Sequence, residues 1–326
     1  MKTPELIGIT TTPSTPIPVE AFGTPGVRSV LHVVPQFEDG RGTQGEVFRD
    51  ASERQFVISA RLSKGPSIPG DIKGDFTEKD GESYLTAPDA GLLKVDAELG
   101  SFEVRKNDVG ELSFIQLHCT APNENRARTR FINSVYPVLD HLSYVHNAAL
   151  FVTMIRVVDA AHQSTHIECA SPYRRQDIKQ PIRVRFDEMK PVYSMYREAK
   201  NSDSDFYRFL CYYKIMEGLL GKMRAAAFTR ARDAGTILTI GRDLVPDDRD
   251  LAPELKPYVG KSIKTFFDNL LTGKFRNAMA HFQTDAGILH VSSSAELQAY
   301  ADIAFASDLC VRVLIATHES ILSQLS

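Results

Sequence analysis

"DSDFYRFLCYYKIMEGLLGKMR", Asp203 to Arg224, decides what the second half of this chain is. An Asp or Ser at its start can cap a helix by accepting a hydrogen bond from an early backbone N–H. Beyond it, Phe206, Phe209, Leu210, Tyr213, Met216, Leu219 and Leu220 recur at three- and four-residue spacing. That period lines one face of an α-helix and does not fit the alternation of a strand. The aromatic residues Tyr207, Tyr212 and Tyr213 read as part of the same core-facing surface. Glu217 is the only acid between Phe209 and Leu220. A buried, unpaired carboxylate is costly, so Glu217 is expected to meet a partner and not solvent.

Strand signals stay scarce downstream. "DAGTILTIGRDLVPDDRDLAPELKP" (233–257) reads as a long insertion rich in turn formers. "KSIKTFFDNLL" (261–271) reads as a helix that stops at Gly273, and the stretch from Ser293 to Leu322 as a long, Ser-capped closing helix. Residues 188–326 are therefore expected to form an all-α bundle of four or five helices.

Upstream the pattern is different. Residues 1 to about 45 are rich in Thr, Pro and Gly and read as extended segments and turns. "QFVISARL" from Gln55 and "ELSFIQLHCT" from Glu111 suggest strands, "LLKVDAELGSFEVRK" a hairpin, and "GPSIPGDIKGDF" a turn-rich loop. One helix interrupts them, from Asn123 to Asn147, with Phe131, Val135, Leu139 and Leu142 on one face and Pro137 as a source of a kink. "ALFVTMIRVVDA" and "STHIECA" follow as β-rich runs. Ser171 to Pro191 is polar and carries three prolines, which places a boundary there. The expectation is an α+β protein: a strand-rich amino-terminal α/β domain over 1–180, then the helical domain over 188–326.

Composition narrows the function. With 326 residues, 43% hydrophobic and 24% charged, the chain is of globular type and long enough for two domains. Its longest apolar run, Ala148 to Ile155, is too short for a bilayer, and the amino terminus lacks a signal-type apolar core. The protein thus reads as cytoplasmic, with no membrane partner. The four cysteines form no C-x-x-C pair, so neither a disulfide framework nor a thiolate zinc site is supported. Residues 1–180 carry 19 basic and 23 acidic residues, and 181–326 carry 19 and 18. Neither half is basic enough for charge alone to imply nucleic acid. No Walker loop, dinucleotide fingerprint, G-x-S-x-G or H-E-x-x-H occurs, and no cofactor or metal is expected.

What remains is "GKFRNAMAHFQTD", Gly273 to Asp285. On an α-helix Asn277 and His281, four apart, share a face, whereas Arg276 and His281 diverge by ~140°. Arginine's length, a local kink or a second copy of the helix from another subunit would each suffice to bring them onto one ligand. Arginine can hold a phosphodiester's charge and histidine can move a proton near neutral pH. The competing reading is a polar helix end in which Arg276 and Asn277 only cap neighbouring backbone.

Arg276-Asn277-Ala278-Met279-Ala280-His281 resembles the R-N-x-x-x-H form of the R-x4-6-H motif of the HEPN superfamily. "DFYRFLCYYKIMEGLL" resembles the long earlier helix of Apea-like HEPN domains, and the order of elements resembles the MauJ family. The resemblance covers 188–326. It implies a metal-independent endoribonuclease acting as a homodimer on RNA, in a defence or toxin setting. Arg276 and His281 would then be catalytic, with Asn277 and Glu217 orienting them. The strand-rich domain would receive a partner protein or a small-molecule trigger. It equally implies an alternative, a non-catalytic accessory protein whose helical domain dimerises or binds a partner or RNA.

Three other groupings read as structural. His162, His166 and Glu168 in "HQSTHIE" have ligand-like spacing but fall at a hairpin turn, where that spacing does not converge. Arg126, Arg128 and Arg130 read as a solvated first helical turn with a lesser claim on phosphates. Arg174, Arg175, Arg183 and Arg185 flank the boundary and could line a cleft.

Overall fold

The computed structural model describes residues 28–34, 44–65, 68–69, 92–97, 100–107, 110–146, 149–170, 186–281, 283–284 and 287–326. The first 27 residues, most of "GPSIPGDIKGDF" and the arginines at 174–185 lie outside them. So does most of the expected boundary.

The strands of the large sheet are β1 (Arg28–Val33), β2 (Arg54–Gly65), β3 (Ile68–Pro69), β4 (Leu92–Ala97), β5 (Gly100–Lys106), β6 (Leu112–Ala121), β7 (Phe151–Asp159) and β8 (Thr165–Ala170). They form one sheet in the order β1-β8-β7-β2-β6-β5-β4, with β3 pairing onto β2. All its pairings are antiparallel. Strand β2 sits centrally because Phe56, Ile58, Ala60 and Leu62 alternate and are all buried. The β4–β5 hairpin has the expected pairing, from Leu92 opposite Arg105 to Ala97 opposite Gly100.

A short helix, α1 (Gln44–Arg49), precedes β2, and α2 (Glu124–His146) covers one sheet face. Asn123 opens α2 by accepting from the Arg126 N–H at 3.0 Å. Ala127, Phe131, Ile132, Val135 and Leu139 pack onto Ile58, Ile115 and Leu117 in one buried cluster. The helix runs on through Pro137, whose exposed position lets its ring point away from that cluster.

The second cluster is helical. It draws on α3 (Lys190–Asn201), α4 (Asp205–Leu220) and α5 (Lys222–Asp233). A helical run from Ile263 to Ala280 and the closing α8 (Ser294–Gln324) complete it. Pro191 occupies the first turn of α3, where its missing N–H costs nothing. Ser204 caps α4 through the Tyr207 N–H. Phe209, Tyr212, Met216 and Leu219 on α4 are fully buried, each worth about 1.5–3 kcal/mol of transfer free energy. Tyr207 is the exception among the tyrosines, standing 44% exposed. Gly221 ends α4 where a Cβ would come within 2.7 Å of the Glu217 carbonyl oxygen. That close approach requires glycine.

Two elements differ from the sequence expectation. The insertion at 233–257 is not a loose run of turns. Val245, Leu251 and Leu255 are buried in the helical core, and Val245 N–H bonds Lys261 C=O at 2.9 Å. Its turn formers shape the path, while three apolar side chains tie it down.

The helix thought to stop at Gly273 also continues. It begins as α6 (Ile263–Phe266), widens into a π-helix over Phe267–Arg276, and finishes as α7 (Asn277–Ala280). The apolar row explains the widening. Ile263, Phe267, Leu271 and Phe275 are spaced by four and all buried. Four residues advance ~40° past a full turn on an α-helix, and lag by roughly the same on the wider π-helix at about 80° per residue. One α step followed by two π steps leaves all four within roughly 40° of Ile263, in the helical core, where Phe267 and Phe275 meet rings of α4 and α8. A continuous α-helix would rotate Phe275 out of the core.

Leu297 of α8 also packs against the sheet cluster, so α8 touches both cores. Among the described residues no helix is long and apolar enough to cross a membrane.

Candidate active site

The motif falls where the π-helix gives way to α7, and the chain leaves helical geometry at His281 (φ −125°, ψ 127°). Asn277 links the three residues. Its side-chain oxygen accepts from Arg276 Nη1 at 3.1 Å, and its backbone oxygen accepts from the His281 N–H at 3.1 Å. Arg276 and Asn277 are half-buried and His281 is exposed. Among the described residues the His281 ring makes no hydrogen bond, which leaves both ring nitrogens open to a ligand. The π-helix ends at Arg276 and the backbone from Asn277 to Ala280 is α-helical, so within one chain the ~140° divergence between Arg276 and His281 stands.

The backbone under the motif is anchored from two helices. Tyr300 of α8 donates its hydroxyl to the Phe275 carbonyl at 2.9 Å. Its ring sits 4.2 Å from Phe206, 5.3 Å from Phe275 and 5.8 Å from Phe209, centroid to centroid. Burial first, and the Glu296 charge second, push the Tyr300 phenol well above its usual range, so it stays a donor. At the other end of the π-helix, Tyr213 stacks on Phe267 at 4.7 Å and its hydroxyl bonds the Thr272 hydroxyl at 3.1 Å. Tyr300 was not singled out from the sequence. An aromatic with a polar tip on the buried side of the closing helix was the available signal.

Glu217 does not follow the expectation set for it. It is 48% exposed and pairs with Lys214 at 3.2 Å, one turn back on α4. Within a single chain its carboxylate therefore has a surface lysine as partner and is not enclosed with the motif.

The remaining groupings resolve as structure. His162 bonds Asp50 at 2.7 Å, His166 lies edge-on to His32 with centroids 4.4 Å apart, and Glu168 takes both ends of the Arg128 fork. The three do not converge. Among the described residues no cluster of histidine, cysteine or carboxylate groups could hold a metal. Arg128 is half-buried in that ion pair and Arg130 bonds the Thr120 carbonyl. The "RARTR" turn is thus less solvated than its composition suggested, because β6 and β8 run beside it.

The fold and site together define a helical bundle that presents a guanidinium, an amide and an imidazole at the surface end of one helix. Residues 192–316, from the first turn of α3 into the last third of α8, match the family model of the methylamine utilization protein MauJ. The helical part of this chain is therefore MauJ-like, and the match contains the whole motif. Comparison with curated proteins and with solved structures returned no match.

Proposed function

We propose that the chain is an endoribonuclease of the HEPN type that needs no metal and works as a homodimer across the Arg276–His281 motif. The observation that supports this reading is the Asn277-centred arrangement, which ties the Arg276 guanidinium and the His281 backbone to one residue and leaves the His281 ring exposed. Cleavage by attack of a 2′-hydroxyl needs a base for that hydroxyl and an acid for the departing 5′-oxygen. One chain offers one exposed histidine at this site, so two chains related by a two-fold axis supply both. Arg276 would hold the non-bridging phosphate oxygens through its planar fork, and Asn277 would keep Arg276 aimed. Two domains, 1–180 and 188–326, fit the two separate hydrophobic clusters, with the strand-rich part choosing the substrate or the trigger.

One observation favours a second reading. Glu217 is committed to Lys214 at the surface, so a single chain lacks the acid that would orient the motif. On that reading the protein is an accessory module that dimerises or docks a partner. Purified protein incubated with total RNA and EDTA separates the two. Fragments that vanish with His281→Ala support the nuclease, and intact RNA at every protein concentration supports the accessory role.

A further inference from the structure

The insertion at 233–257 closes one side of a cavity of about 480 Å³ on the helical bundle. That volume suits a small molecule of nucleotide size. Arg224 from α5, Arg242 and Asp243 from the insertion, and Ser262 and Lys264 from the start of the long helix line it. The side chains facing this space thus carry three cations and one carboxylate.

The carboxylate is already committed. Asp243 accepts from Arg224 Nη1 at 2.5 Å and from the Thr317 hydroxyl at 2.7 Å. Arg224 keeps unmet capacity, since its Nε and Nη2 find no acceptor among the described residues. Arg242 makes no hydrogen bond or ion pair among the described residues. Lys264 holds Asp268 through an exposed pair one turn along its helix, an interaction weak enough to be exchanged.

The rim is preorganised. Gly260 N–H bonds Val245 C=O, Val245 N–H bonds Lys261 C=O, and Ile263 N–H bonds Asp243 C=O, each at 2.9 Å. Gly260 reaches φ +73° to make this turn, a conformation that side chains disfavour. The backbone that carries Arg242 and Asp243 is thus fixed before a ligand arrives, which removes part of the ordering cost of binding. The positive field also reaches the bundle interior. His318, fully buried on α8, is held below the usual histidine value by burial first, with Glu188 opposing and the charges of Arg224 and Arg230 adding to the effect.

We propose that this cavity is a binding site for a small phosphate-bearing ligand, up to a mononucleotide in size, held by Arg242 and Lys264 with Arg224 as the charged wall. It does not depend on the nuclease reading. It places a small-molecule site in the helical part and not in the strand-rich part.

The test is calorimetric titration of the full chain at low salt with inorganic phosphate and, separately, with AMP. Both should bind, AMP more tightly, and affinity should fall as salt rises. Arg242→Ala and Lys264→Ala remove surface charges and should each weaken AMP roughly tenfold or more. Arg249→Ala, exposed and outside the cavity, should bind as the parent does. Circular dichroism establishes that each variant is folded, and Arg224 is left intact because Asp243 depends on it. Absence of binding by either probe at millimolar concentration would overturn the proposal, as would equal binding by the Arg242→Ala and Arg249→Ala proteins. RNA cleavage measured on the same variants keeps the outcomes separate. Loss of cleavage in His281→Ala with AMP binding unchanged leaves this site standing.

Discussion

Replacing Tyr300 with Phe should loosen the motif without emptying the core. The substitution removes one hydroxyl and keeps a ring that is 1% exposed and contacts Phe206, Phe209 and Phe275. What is lost is the 2.9 Å bond to the Phe275 carbonyl, one residue before Arg276. Removing one partner of a buried bond costs about 1–3 kcal/mol. The carbonyl has a second lone pair, which places the expected loss near the lower end, about 1 kcal/mol. Tyr300→Ala also removes the ring and should cost about 3–5 kcal/mol through the cavity it leaves. Urea denaturation of both variants, with the slope unchanged, measures the difference. The Phe variant should also lower RNA cleavage if the nuclease reading holds, because Arg276 would no longer be fixed from below. Equal losses from Phe and Ala, or no loss from Phe, would refute the idea that the hydroxyl anchors the helix end.

On the proposed nuclease reading, His281→Ala should remove most cleavage, by roughly 10²–10⁴-fold, with the fold retained, while EDTA leaves the parent unaffected. Arg276→Lys should rescue poorly compared with Arg276→Ala, since lysine keeps charge and loses the fork; gel assays across salt concentrations read this. Glu217→Gln should change stability by under about 0.5 kcal/mol, as its partner is an exposed lysine one turn away, and a large loss would mean that Glu217 is enclosed in an assembly. Gly221→Ala should destabilise by roughly 1–3 kcal/mol, because the new Cβ meets the Glu217 carbonyl at 2.7 Å. Burial holds His166 and His318 below the usual 6.5, so the unfolded chain binds more protons in that range. Stability should therefore be full above about pH 6.5 and fall on acidification below it, and His318→Gln should flatten that slope in thermal melts.

Local patterns were legible from residues alone. The α4 stripe, the Asn123-capped helix, the β4–β5 hairpin and the closing helix all rest on short-range periodicity and capping, which neighbours in sequence set. The identity of the motif was legible too, as residue types at a fixed spacing. Other features depended on partners far away in the chain. Sheet order puts β2 between β6 and β7, and that follows from long-range pairing which no local window contains. The π-helix arises because four buried residues spaced by four must all face the helical core, and this overrides the glycine at 273. Glu217 sits with Lys214 on the solvent side of α4, so composition suggested burial where packing left it open. The cavity beside Arg242 exists because Val245, Leu251 and Leu255 find room in the helical core. Hydrophobicity marks such residues as candidates for burial, but only tertiary packing decides which surface accepts them.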